Sequence, residues 1–379
     1  MGLGGADSQL LSAALGLQGR AHDVRIVSLT ALGPMGFQAR RLGLDTESLE
    51  MPRGIPDPGG LVRLREIVHQ WRPDIVHSHM VHANLMARAL RLVTPVPALV
   101  STIHNVYEGG PFLMAGYRLT NRLVDHMTII SQVAADRFIR ERIVPRELLS
   151  VIPNGVDPEP YQAVAPEARE ARRRALDLDH RFAWIAVGRF EVAKDYPNML
   201  RAFASVHERR PEAVLLLVGR GSLKGETQAL AQDLALGSAV RFMGVREDVP
   251  ALLSAADGYV MSSAWEGMPM VLLEASAGGL PIIATRVGGT GEAVLDGQTG
   301  FLVEPRDSGA LAGAMLRLME LPDVDRRRMG ENGRQRIGSS YSLARVVDRW
   351  EELYRNVLIG KGLAPAAVHS TNQQFPLSR

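Results

Sequence analysis

The sequence predicts an α/β protein made of two doubly wound, parallel-sheet domains that face each other across a cleft. Short β-branched or apolar runs alternate with longer helical stretches along most of the chain. That alternation is the signature of parallel strands covered by helices on both faces. A length of 379 residues suffices for two domains with separate cores. A turn-rich stretch, Pro153-Asn154-Gly155-Val156-Asp157-Pro158, breaks the alternation near its middle. It places a first domain over residues 1–155 and a second over 156–340.

In the first half the runs predict strands at residues 24–29, 74–77, 98–102, 126–130 and 149–152. Helices are expected over 8–18, 60–71, 83–92 and 132–142. An Arg-rich stretch up to about Arg181 reads as irregular. The second half predicts strands at 182–187, 213–218, 240–243, 258–261, 281–285 and 301–303. Helices there are expected over 196–209, 225–234, 249–255, 269–278 and 308–321. A late helix over 343–358 carries apolar residues at 343, 346, 347, 350, 353 and 357, which form one buried face. The last stretch, 360–379, is polar with isolated prolines and is expected to be disordered.

Composition excludes several classes. The formal charge of +2 is too small an excess for a nucleic-acid binder. With no cysteine there is no disulfide, thiolate nucleophile or Cys-ligated zinc. No apolar stretch reaches the length of a membrane span, and the start shows no charged segment followed by an apolar core. The expected location is the cytoplasm, with room for peripheral contact at the inner membrane face.

The most informative segment is Glu266-Gly267-Met268-Pro269-Met270-Val271-Leu272-Leu273-Glu274. In a continuous helix its two carboxylates would stand about 12 Å apart along the axis. Pro269 argues instead for a helix that starts there. Glu266 then sits on the preceding loop and Glu274 inside the helix. The amides of Gly267 and Met268 at the helix start suit an anion. Glu274 lies among apolar residues and needs a partner, either an arginine or a ligand hydroxyl. A structural ion pair is the plain alternative for Glu274, and a solvated loop carboxylate the alternative for Glu266.

Other strand ends carry further candidates. Gly188-Arg189-Phe190-Glu191-Val192-Ala193-Lys194 follows one strand, and two cations on such a loop suit a diphosphate. They read equally as solvated surface cations. Gly219 and Gly221 permit close backbone approach, although a simple tight turn explains them too. The stretch from Val240 to Asp248, with Arg246, could flank a planar base or be an ordinary strand-to-loop transition. Gly288-Gly289-Thr290-Gly291-Glu292 opens a helix and could cradle a phosphate, a weak signal on its own. In the first half, Gly4 and Gly5 lie on a loop before a helix. His77, His79, His82 and His104 cluster at strand ends. No carboxylate joins them at metal-ligand spacing, so no metal site is expected. His104 is favoured for substrate contact.

Taken in order, these motifs resemble the retaining glycosyltransferases of family 4, glycosyl transferases group 1, whose architecture is GT-B. The resemblance runs from Gly4-Gly5 through Pro153–Asp157 to Gly300-Phe301-Leu302-Val303. It implies a nucleotide-diphosphate sugar donor held mainly by the second domain. Arg189 and Lys194 would bind the diphosphate and stabilise it as leaving group. Glu274 would take hydrogen bonds from the ribose, and Glu266 would contact the donor sugar. Gly188, Gly219, Arg246, Gly267, Met268, Gly288 and Gly289 complete the implied donor site. His104 and the Gly4-Gly5 loop would close over it, and the late helix, 341–359, would cross back onto the first domain. No cofactor or metal is implied, because fixed cations and helix-end amides stabilise the charge that grows on the leaving group. The implied acceptor is a polysaccharide, lipid-linked or other cell-surface glycan.

Family members begin with a strand directly before the glycine loop, whereas Met1 here adjoins Gly2-Leu3-Gly4-Gly5. The first domain is therefore expected to lack a central strand. Such a loss costs about 10 kcal/mol, against a net domain stability of about 5–15 kcal/mol. The expectation is that the given chain starts downstream of its true beginning or is shortened. Two other readings stay open: a sugar-nucleotide 2-epimerase, and a sugar-nucleotide-binding protein without catalysis.

Overall fold

The computed structural model describes residues 4–52 and 57–363. Residues 364–379 of the expected tail, and Met1, Gly2 and Leu3, lie outside the described residues. The first half contributes strands β1 (Arg25–Ser28), β2 (Asp45–Ser48), β3 (Ile75–His79), β4 (Ala98–Ile103), β5 (His126–Ile129) and β6 (Leu149–Val151). The second half contributes β7 (Phe182–Val187), β8 (Ala213–Val218), β9 (Val240–Gly244), β10 (Gly258–Met261), β11 (Ile282–Thr285) and β12 (Gly300–Val303).

The second-half strands form one six-stranded sheet in the order β12-β11-β10-β7-β8-β9. Every pairing is parallel. β7, β8 and β10 fall on the residues that the apolar runs predict. All six residues of β8 are buried, as expected for a strand covered on both faces. Two apolar clusters lie one on each face of this sheet. Ile185, Leu216 and Leu273 belong to one, and Trp184, Leu217 and Phe203 to the other. Alternate residues of β7 and β8 thus point to opposite cores.

Among the described residues, the first half holds two separate parallel sheets, β1-β2 and β3-β4-β5-β6. A third apolar cluster, around Leu99, Ile103, Met127 and Phe138, covers the larger of them.

Several elements differ from expectation. The Arg-rich stretch is not irregular: Pro166–Ala175 is a helix with no buried residue. Its arginines replace an apolar face. Arg169 and Arg173 both reach Asp257, at 2.6 and 2.9 Å, and they bond to the carbonyls of Ser254, Ala255 and Ala256. Helices Pro34–Arg41, Pro111–Thr120 and Asp323–Arg336 and strand β2 were also not expected; β2 is short and polar, which leaves no alternation to read.

The late helix runs over Leu343–Gly360. Its apolar stripe meets the first half: Val346 and Trp350 pack with Val100 and Ile152. Arg20 and His22 anchor it through Glu351, at 2.5 and 2.8 Å. No helix among the described residues is long and apolar enough to cross a membrane.

Trp350 is 4% exposed and its ring lies tilted against His77, with centroids 4.5 Å apart. Trp350→Ala is expected to destabilise the protein by about 3–5 kcal/mol. Urea unfolding followed by far-UV circular dichroism measures this. An unchanged midpoint would show that the helix is not held by this stripe.

Candidate active site

The candidate residues gather at the C-terminal ends of the second-half strands, where open parallel sheets bind ligands. β7 and β8 end on glycines packed main chain to main chain. Gly219 has φ +143°, and a Cβ there would stand 1.9 Å from the Gly188 carbonyl oxygen. No side chain fits, so the loop after β7 lies directly on the end of β8. That loop turns through Val192–Lys194 and hands over to helix Tyr196–Arg209, capped by Asp195.

Lys194 Nζ donates to Glu266 Oε1 at 2.5 Å, and Ser263 Oγ donates to the same oxygen at 2.7 Å. The pair is mostly shielded from solvent, with 20% and 14% of the two side chains exposed. Arg189 is exposed and its side chain makes no hydrogen bond or ion pair with any described residue, so its guanidinium is available to a ligand. Glu266 precedes helix Met270–Ala277 on a loop, as Pro269 predicts.

A second glycine contact fixes that loop. Gly288 has φ +50°, and a Cβ there would lie 2.0 Å from the Glu266 carbonyl oxygen. Gly289 N donates to the Gly267 carbonyl at 2.6 Å. Gly267 in turn lies against the first half, where a Cβ would meet the His104 carbonyl oxygen at 2.6 Å. Gly5 is not on a loop but opens helix Gly5–Gln18 after Gly4; a Cβ on it would lie 3.5 Å from the Met270 side chain, so this helix start abuts helix Met270–Ala277.

The Glu274 carboxyl has no hydrogen-bond or ion-pair partner among the described residues. Burial pushes it up to about 7. An acid in this state lacks the partner that a structural role would supply.

Across the cleft, His79 Nδ1 and His104 Nε2 share a hydrogen bond of 2.8 Å. His77 bonds Tyr354 Oη at 2.6 Å and Thr102 Oγ1 at 2.7 Å. Burial, with the neighbouring rings, drives His77 down to about 3 and His79 well below its ordinary value; burial alone lowers His104 to about 4. All three are neutral near pH 7, so His104 serves as a hydrogen-bonding group and not as a charged acid. Its Nδ1 is buried without a partner.

A cavity of about 570 Å³ lies between the halves. Tyr107 and Val133 line it from the first half, and Trp265, Glu266, Gly288 and Arg306 from the second.

Comparison with known proteins agrees with this geometry. Residues 168–336 match the description Glycosyl transferases group 1, and residues 3–160 match Glycosyltransferase Family 4. A D-inositol 3-phosphate glycosyltransferase of Corynebacterium urealyticum is 33% identical over 348 residues, covering 86% of this chain and 81% of that protein. This chain belongs to glycosyltransferase family 4. A second relative of the family, the Escherichia coli UDP-Gal:alpha-D-GlcNAc-diphosphoundecaprenol alpha-1,3-galactosyltransferase, is 29% identical and covers 81% of each chain. Among solved structures, Anabaena HepE in complex with UDP-glucose aligns with a TM-score of 0.82 at 23% identity, over 93% of this chain and 96% of that one. The fold is therefore GT-B.

Within this family 4 enzyme the fold brings together Lys194, Glu266, Gly188, Gly219, Gly267, Gly288 and Gly289. His104 joins them from the other half. Two donor-site expectations sit differently. Arg246 is held in a fork by its neighbour Asp248, at 2.7 and 2.6 Å, on an exposed loop. Met268 is 4% exposed in the core, and its carbonyl accepts from Asn154 Nδ2 at 2.9 Å.

Sequence reasoning missed Ser263, Tyr107, Trp265, Arg306 and Glu108. Glu108 accepts from His104 N at 2.7 Å and from Tyr117 Oη at 2.9 Å, and burial pushes it up to about 7. The spacing His104…Glu108 was readable, but nothing in the sequence tells a loop acid that turns inward from one that is solvated.

The titration of Glu274 gives a directional prediction. Its folded carboxyl keeps its proton from 4.5 up to about 7, whereas the unfolded one does not. Wild-type stability therefore falls across that window as pH rises. Glu274→Gln removes this term, so without ligand it should match wild type near pH 4 and exceed it near pH 8 by about 3 kcal/mol. Paired urea titrations at the two pH values check this; a pH-independent difference would refute it.

Proposed function

We propose that the protein is a retaining, metal-independent hexosyltransferase that moves a sugar from a nucleotide-diphosphate donor to a polysaccharide, lipid-linked or other cell-surface acceptor. The observation that carries this reading is the Lys194–Glu266 pair flanked by two side chains without partners, Arg189 and Glu274. A cation without a counterion on the loop after β7, and an acid without a donor in helix Met270–Ala277 after the neighbouring β10, complement a diphosphate and a ribose diol.

The chemistry follows from these groups. Cleavage of the bond from the anomeric carbon to the diphosphate oxygen leaves an oxocarbenium-like sugar and a nucleoside diphosphate. Arg189 and Lys194 stabilise the charge that grows on the leaving oxygen. Amides near Gly267 and Gly288 add fixed dipoles. Retention follows from attack by the acceptor hydroxyl on the face the phosphate leaves, the departing oxygen taking the hydroxyl proton. Glu266, bound by Lys194 and Ser263, orients sugar hydroxyls and is not assigned as a nucleophile. Neutral His104 faces the same sugar from the first half.

Names of relatives support the choice of substrates. The E. coli enzyme uses UDP-Gal and a diphosphoundecaprenol acceptor. Another relative, of Corynebacterium glutamicum, is a GDP-mannose-dependent mannosyltransferase acting on a phosphatidylinositol monomannoside, 30% identical over 79% of this chain and 81% of that protein. Both acceptors are lipid-linked, which favours work at the cytoplasmic face of the inner membrane through peripheral contact.

Thermal shift with UDP-, GDP- and ADP-sugars, followed by nucleotide release with candidate acceptors, tests the reading. Arg189→Ala and Lys194→Ala are expected to lower kcat/KM by about 10²–10³-fold. Donor stabilisation that survives in both Arg189→Ala and Glu274→Ala would overturn the site. Conversion of the sugar nucleotide without any acceptor would instead indicate an isomerase. Turnover is expected to be unchanged by a chelator, and its loss on chelation would overturn the metal-free mechanism.

A further inference from the structure

Glu292 stands on the helical turn Thr290–Ala293, directly after the Gly288-Gly289 loop. Its side chain leaves the second half. Gln132 N donates to Oε2 at 2.9 Å and Val133 N donates to Oε1 at 3.0 Å. These are the first two free amides of helix Gln132–Arg140 in the first half, and Ser131 Oγ takes the third, from Ala134, at 3.3 Å. A carboxylate at a helix start is favoured by charge and by the otherwise unpaired amides, but here it comes from the opposite wall of the cleft.

The main chain of Glu292 is held as firmly as its side chain. Its carbonyl accepts from Arg336 Nη2 at 2.5 Å and from Tyr341 Oη at 2.8 Å. Tyr341 lies where the chain passes back between the halves: its carbonyl accepts from Val156 N at 2.9 Å, and Leu343 N donates to Val156 O at 2.9 Å. Val133, whose amide Glu292 binds, itself lines the cavity opposite Gly288. One residue therefore links the glycine loop, the facing helix and the crossover.

We infer that Glu292 is a positioning residue that clamps the first-half wall of the cleft over the Glu266–Gly288 wall and so sets the cleft width at which sugar transfer occurs. The clamp rests on the transferase reading only for its kinetic consequence. Donor held mainly by the second half should bind alike with or without the clamp, whereas turnover needs both walls.

Two substitutions break the clamp from opposite sides. Glu292→Ala removes the carboxylate. Gln132→Pro removes the Gln132 amide donor yet suits the first position of a helix, and Ser131 before it is already extended at φ −149°, ψ 151°. The chain has no cysteine, so Leu119→Cys and Val324→Cys, at residues 83% and 64% exposed in opposite halves, accept spin labels specifically. The parent is expected to give one narrow inter-label distance. Glu292→Ala and Gln132→Pro should each broaden it, and combining them should add nothing further. In turnover, kcat should fall roughly tenfold, the loss of about one charge-assisted hydrogen bond, with the donor Kd unchanged. Glu292→Gln, which keeps one acceptor oxygen, should fall between. Distances unchanged in both single variants, or a donor Kd that weakens in step with kcat, would overturn the clamp. If the wild-type enzyme transfers no sugar, the functional reading fails while the distance measurement still decides the role of Glu292.

Discussion

The Lys194–Glu266 pair is the interaction on which the rest of the site depends. A cation and a carboxylate can be enclosed together at 2.5 Å, but either one left alone there carries an uncompensated charge. The pair joins the loop after β7 to the loop before helix Met270–Ala277. Ser263 fixes the carboxylate from a third direction. Under the proposed function, an arriving diphosphate would meet a lysine already paired and fixed in position, so that no long flexible side chain would need to be ordered from solvent.

Around this pair the two halves meet through main chain as much as side chain. Gly267 lies on the His104 carbonyl, and Asn154 reaches the Met268 carbonyl. The chain crosses between the halves where Val156 is hydrogen-bonded to Tyr341 and Leu343. Glu292 lies beside this crossing, its carbonyl accepting from Tyr341 Oη, and ties the Gln132 and Val133 amides of the first half to it. The neutral histidines fit the same design. Enclosed between β3, β4 and the late helix, they hydrogen-bond without bringing a second buried charge toward Lys194.

Much of this was legible because burial imprints the sequence. The strands of the second half are continuous apolar runs, since helices cover both sheet faces, and Pro269 marked where Glu266 leaves a loop and Glu274 enters a helix. Less legible were elements stabilised without apolar faces. Helix Pro166–Ala175 is fixed by arginines on carbonyls, and helix Asp323–Arg336 approaches the turn after helix Met270–Ala277 by setting Gly330 against the Gly279 carbonyl, where a Cβ would come within 1.8 Å. Neither leaves a hydrophobic period to read. The site divided in the same way. Arg189, Lys194 and Glu266 announce themselves as charges on loops after strands, and Glu274 as an acid in an apolar helix. Trp265, Arg306 and Tyr107 gain their place only when two loops and two halves converge, and Arg246 looked equally suitable until its neighbour Asp248 claimed it.

The glycine contacts carry a consequence for how this enzyme can change. Where Gly219, Gly267 and Gly288 meet main-chain oxygens, a Cβ has no room, so this part of the cleft floor is closed to variation. Variation is open instead on the rim, at Tyr107, Val133, Trp265 and Arg306, whose side chains line the cavity. The molecule thus separates an immutable foundation from an adjustable border, and a library confined to those four rim positions would explore new specificities while leaving the scaffold of catalysis intact.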